Sequence, residues 1–153
     1  YSLWLAKKYL KSDFIFLHGD LIFSYKMLNK FINFSHKDSI LIDRNQPTDW
    51  DDAMKVITNG KLLRYMSKSV TVHEMDGVAI GMYKFSSKGS VILFKTIENL
   101  IKKGSVKNWV SDALNIMSKD FKINIQSTKY VWSDVDNLVD LKSAKKIIKK
   151  LDK

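Results

Sequence analysis

Cysteine is absent from the 153-residue chain. Disulfide scaffolds, thiolate metal sites and cysteine nucleophiles are therefore excluded together. Any metal has to be held by oxygen or by one of the three histidines. One proline and six glycines are too few for a collagen-like or linker-like chain. No apolar run approaches the roughly 20 residues needed to span a bilayer, and the N-terminus lacks the charged, apolar and small-residue order of a signal peptide. A soluble, cytoplasmic protein with no membrane partner is expected. Arginine is scarce: Arg44 and Arg64 are the two among 26 basic residues. That scarcity disfavours nucleic acid as a partner, because bidentate arginine contacts dominate base-edge recognition.

A net charge of +10 nonetheless keeps polyanions in view. The lysines run from Lys7 to Lys153, densest at Lys142, Lys145, Lys146, Lys149 and Lys150, where a helix needs a solvated face. With 45% hydrophobic and 12% aromatic residues, a chain of this length can bury about 70% of its unfolded surface. Trp4, Trp50, Trp109 and Trp132 are read as core aromatics rather than base-stacking platforms. No linker or repeat divides the sequence, so residues 1–153 are read as a single domain. The chain begins Tyr1-Ser2-Leu3-Trp4, without methionine and inside a helical pattern, and further residues upstream are expected.

The spacing of apolar residues supplies the elements. A helix is predicted over Tyr1 to Leu10. Phe14 to Leu17 and Ser39 to Asp43 are continuous apolar runs of the kind buried on both faces. Met27, Leu28, Phe31 and Ile32 recur at helical spacing between them. This alternation predicts βαβ units around a largely parallel sheet. Met54 to Thr58 and Lys61 to Met66, joined by Asn59-Gly60, predict an antiparallel hairpin insertion. A strand over Val78 to Phe85 precedes a helix from Ser86 to Lys103, closed by Gly104. Val106 to Ser118 reads as a helix, and Phe121 to Ile125 and Tyr130 to Trp132 as strands. Asn137 and Asp140 form a capping pair for a last helix, whose buried stripe is Leu138, Leu141, Ala144, Ile148 and Leu151.

Open α/β sheets bind ligands at the carboxyl ends of strands. Asp20 lies there, after Gly19, where the backbone is open to close approach. Asp134 and Asp136 share one side if their segment is extended, although Asp136 or Asn137 could equally cap the last helix. Carboxylates from separate strand ends are what magnesium requires when phosphate oxygens and water complete its shell. Lys55, which follows the acidic loop Asp49-Trp50-Asp51-Asp52 and opens a strand, is the sharpest lysine candidate, although a lone lysine there more often faces solvent.

Five blocks then occur in one order: Phe14 to Asp20, Asp52 to Val56, Gly77 to Ser86, Ser111 to Leu114, and Trp132 to Leu141. Together they resemble the later two-thirds of a nucleotidyltransferase of the sugar-phosphate and phosphocholine cytidylyltransferase type. The resemblance implies a Rossmann-like α/β fold. It also implies magnesium-dependent transfer of a nucleoside monophosphate from a nucleoside triphosphate, with CTP expected, to a phosphate monoester such as a sugar phosphate, inositol phosphate or phosphocholine. It assigns Asp20 and Asp136 to the metal, with Asp134 as alternative or support, and Lys55 to the transferring phosphate. The family's glycine-rich triphosphate loop has no counterpart here, and Val78 and Ser111 stand near positions where relatives carry glutamate. An inactive part of an enzyme is therefore expected, its apolar surface favouring self-association. The competing class is a non-catalytic basic module that binds nucleotides or nucleic acid.

Overall fold

The computed structural model describes residues 1–45 and 52–151, apart from the side chains at 143, 149 and 150. Asp49, Trp50 and Asp51 of the acidic loop, and the side chains of Lys149 and Lys150, lie outside that description. In chain order the elements are α1 (Ser2–Leu5), a 3₁₀ segment (Ala6–Tyr9), β1 (Phe14–Leu17), β2 (Leu21–Phe23), α2 (Tyr25–Ile32) and β3 (Ser39–Asp43). They continue with β4 (Lys55–Asn59), β5 (Leu62–Ser67), β6 (Gly77–Phe85), α3 (Ser87–Lys102), α4 (Val110–Met117), β7 (Asn124–Thr128), β8 (Trp132–Asp134) and α5 (Leu138–Leu151). Among the described residues no helix is long and apolar enough to cross a membrane.

The main sheet runs β1-β6-β3-β7-β5-β4, with β4 also reaching the start of β6, and β2 pairs with β8 in a separate ladder. The α/β class holds, but the expected parallel majority does not. The β3–β7 ladder is parallel, and every other described ladder is antiparallel. A continuous apolar run reports burial on both faces and carries no information about direction. Ile40 and Ile42 of β3 pack with Leu93, Phe94, Ala113, Leu114 and Met117 of α3 and α4. Leu41, pointing the other way, joins Met27 and Phe31 of α2. The period of two thus feeds both cores from one strand, each fully buried aliphatic side chain contributing about 1.5–3 kcal/mol.

Side-chain caps set the helix ends. Ser86 accepts from Gly89 N–H at 3.0 Å, and Asp38 accepts from Ser86 N–H and Oγ at 2.9 and 2.7 Å. At the far end of α3, Gly104 (φ 83°) donates to the Ile101 carbonyl and Ser105 donates to the Leu100 carbonyl. This is the glycine closure expected there. The hairpin is present with its two-residue loop at Gly60-Lys61, one residue later than expected, since Asn59 pairs with Leu62.

Other boundaries move as well. The first helix tightens into a 3₁₀ segment after Leu5, α4 starts at Val110, β7 begins at Asn124 and β8 at Trp132. The α5 stripe is largely corrected. Ala144 is buried, whereas Leu138, Leu141 and Ile148 are exposed, because among the described residues α5 packs chiefly against the small β2–β8 ladder.

Lys84 is buried on β6, and its Nζ donates to the carbonyls of Phe31, Ile32 and Phe34 at 3.3, 3.1 and 2.7 Å. Burial, and then the charge of Lys37, push its pKa below the usual lysine value. The ammonium nevertheless closes the C-terminus of α2, where carbonyls lack helical partners. Lys84→Met is expected to leave those carbonyls unpaired and to lower stability by about 1–3 kcal/mol, read as a lower urea midpoint at unchanged slope.

Candidate functional site

A cavity of about 440 Å³ opens where β1, β6, the β2–β8 ladder and the start of α4 meet. Its walls are apolar, formed by Phe16, Ala79, Ile80, Tyr83 and Trp132 among others, and two charged groups line it. One group is the carboxylates Asp20, Asp134 and Asp136, and the other is Lys68 with Asp52 and Trp109; His18 and Ser111 line the cavity as well.

The set of carboxylates is assembled by the small ladder. After β1 the chain turns through His18-Gly19-Asp20 and returns as β2, which pairs with β8 in the register Leu21↔Asp134. Val135 N–H donates to the Asp20 carbonyl at 3.0 Å. Trp132 Nε1 donates to Asp43 Oδ2 at 2.9 Å, tying β8 to the end of β3. The helix cap that follows is built by other residues. Asn137 Oδ1 accepts from Val139 and Asp140 N–H, and Asp140 Oδ2 accepts from Asp136 and Asn137 N–H. The carboxylate of Asp136 is therefore left out of the cap and lines the cavity. A Cβ at Gly19 would meet nothing within 4 Å, so the backbone there is open, although Gly19 does not itself line the cavity.

Burial, and then the charges of Asp136, Asp20 and Asp140, raise the pKa of Asp134 above the usual 3.8. Their charges thus reach Asp134 and oppose its ionisation. A divalent cation among them would remove that opposition, and an all-oxygen donor set suits a hard ion. Among the described residues no three acidic or imidazole groups converge on one metal position, so substrate phosphate and water oxygens would have to complete the shell. A raised folded-state pKa means that stability is lost as pH climbs from the unfolded value through the folded one. Asp134→Asn is therefore expected to raise the thermal midpoint in metal-free buffer at pH 7, with the gain vanishing below about pH 4, where both states are protonated.

The lysines are arranged otherwise than expected. Lys55 is 3% exposed and its Nζ donates to the Lys68 carbonyl at 2.9 Å. It holds the backbone behind the cavity and does not line it. The lining lysine is Lys68, with Nζ 2.6 Å from Asp52 Oδ1 and 4.4 Å from the centroid of the Trp109 ring. Lys68 follows β5 as Asp20 follows β1, so the strand-end argument could have found it. Trp109, expected in the core, is half exposed because it stands at the N-cap of α4, where Asp112 Oδ2 accepts its backbone N–H at 3.0 Å. Val78 and Ser111 are both buried.

No family model and no curated protein sequence matches the chain. Solved structures do. The inositol-1-phosphate CTP transferase from T. maritima superimposes with a TM-score of 0.77 at 16% identity, covering 99% of this chain and 61% of its own. A protein from Bacillus anthracis assigned as a glucose-1-phosphate thymidylyltransferase, in complex with a sucrose, gives 0.75 at 17% over 95% and 58%. A UTP-bound UGPase from Acinetobacter baumannii gives 0.72 at 12% over 97% and 54%. The chain thus spans between 54% and 61% of the length of these neighbours, and over that span it has the α/β fold of the sugar-phosphate nucleotidyltransferases.

Proposed function

We propose that residues 1–153 form the metal- and acceptor-binding part of a nucleotidyltransferase domain. That domain transfers a nucleoside monophosphate from a nucleoside triphosphate, with CTP the expected donor, to a phosphate monoester, and releases pyrophosphate. The observation that carries this is the convergence of Asp20, Asp134 and Asp136 on one cavity within that fold.

In this reading Asp20 and Asp136 hold magnesium, with Asp134 beside them. The ion, when bound, supplies positive charge to the transferring phosphate. The acceptor phosphate oxygen forms its bond to the α-phosphorus as the bond to the β-phosphate oxygen breaks. Little covalent chemistry is asked of the protein, and positioning and charge dominate. Lys68 is the cavity's ammonium for the phosphate charge, and Asp52 and the Trp109 ring fix its place. Lys55, given the phosphate role by the resemblance, acts through Lys68, whose carbonyl it holds.

The triphosphate needs backbone N–H groups and an arginine around its outer phosphates. We assign those to protein beyond these residues, and the greater length of the neighbours supports this. The test is magnesium-dependent binding of phosphocholine, glucose 1-phosphate and inositol 1-phosphate to the 153-residue chain. Binding should be lost on adding a chelator or on Asp20→Asn. Binding that instead falls steeply with salt and ignores magnesium would favour a general polyanion surface.

A further inference from the structure

His18 has no part in the chemistry assigned so far, yet the fold takes trouble to place it. His18 is exposed and lines the same cavity as the carboxylates. It stands 5.6 Å from the ring centroids of both Phe16 and Tyr83. Its backbone N–H donates to the Gly81 carbonyl at 3.0 Å, extending the β1–β6 ladder. Gly81 lies inside a nine-residue strand with φ at 85°, where the β3 register shifts between Ile40 and Ile42.

Glycine inside a strand weakens it, and this φ suits no other residue well. The space above Gly81 shows what the glycine makes room for: a Cβ there would lie 2.6 Å from His18 Nδ1 and 2.7 Å from Cγ. The Nδ1 side of the ring therefore rests directly on the backbone of β6, and His18 also lines the cavity. Among the described residues the imidazole makes no side-chain hydrogen bond.

We propose that His18 touches the substrate, its Nε2 edge donating a hydrogen bond to an oxygen of the phosphate monoester in the cavity that the carboxylates line. This deepens the function proposed above and rests on it. The rings of Phe16 and Tyr83 and the close approach to Gly81 fix the imidazole before the ligand arrives, so little ordering is left for binding to supply. His18 and Lys68 are the basic side chains that line the cavity among the described residues, and Lys68 is engaged by Asp52.

The test is calorimetric titration of phosphocholine and of glucose 1-phosphate, in magnesium chloride, into the 153-residue wild-type chain and into His18→Gln, His18→Asn, His18→Phe and Asp20→Asn. Gln places its amide near the Nε2 position, Asn near Nδ1, and Phe keeps the ring contacts without a donor. His18→Phe and His18→Asn are expected to weaken binding about tenfold, the scale of a hydrogen bond to a charged group, with His18→Gln within about threefold of wild type. Each variant's unfolding midpoint establishes that it is folded.

If His18→Phe binds as tightly as wild type while Asp20→Asn does not, the assignment of His18 is overturned and the carboxylate site stands. Equal weakening by Phe and Gln would overturn the donor role. A wild-type chain that binds neither ligand, or binding indifferent to Asp20→Asn, would overturn the proposed function together with this inference.

Discussion

Replacing Lys68 with alanine, in a protein competent for nucleotidyl transfer, is expected to lower turnover about 10²–10³-fold, the scale of losing one preorganised charge stabiliser. Stability should barely change, because the Lys68–Asp52 pair is solvent-facing and such pairs contribute about 0–1 kcal/mol. Lys55→Met should behave in the opposite way. Its ammonium is buried and donates to the Lys68 carbonyl, so its loss is expected to lower stability by about 1–3 kcal/mol. Activity would then fall only as far as Lys68 shifts. Pyrophosphate-release rates and urea midpoints, measured on both variants, separate the roles. Normal turnover in Lys68→Ala, with a large loss in a stable Lys55→Met, would return the phosphate role to Lys55.

Asp20→Asn and Asp136→Asn are each expected to reduce magnesium-dependent turnover by about 10³-fold, because each removes a charge from one small site. The double variant should lose little more than either single one, since groups that act as a unit are strongly non-additive. Full additivity in the double variant would mean that the two aspartates serve separate tasks. Asp134→Asn should be the mildest of the three if Asp134 supports the site without holding the ion directly.

Features whose cause is local in sequence were legible. The glycine closure at Gly104 and the Asn137/Asp140 cap rest on the chemistry of four or five adjacent residues, and both stand where the sequence placed them. The runs of β3 and β6 were readable because both faces are buried, whereas β1, read the same way, is an edge strand only half-buried along its length. Their directions were not, since the same run serves a parallel or an antiparallel strand between helical layers. The three-residue strand β2 carries too few alternations to register, and the Leu21↔Asp134 ladder that assembles the carboxylates came to light only in three dimensions.

Which lysine lines the cavity was not legible for a related reason. Lys55 and Lys68 lie at the far end of one hairpin, where Lys55 pairs with Ser67. Which of two such lysines reaches a cavity depends on strand orientation and on what covers each face. The exposed leucines of α5 follow the same logic, because a helical stripe is buried only as far as its neighbours extend.

The most direct measurement is pyrophosphate release from each of the four common nucleoside triphosphates, with phosphocholine, sugar phosphates or inositol phosphate as acceptor. It should be run on the 153-residue chain and on a chain extended upstream in its reading frame. The extended chain is expected to release pyrophosphate only with magnesium and both substrates present, Asp20→Asn is expected to slow that release about 10³-fold, and the shorter chain is expected to be silent. Release undiminished by Asp20→Asn, or silence of a folded extended chain across the whole panel, would contradict nucleotidyl transfer at this site.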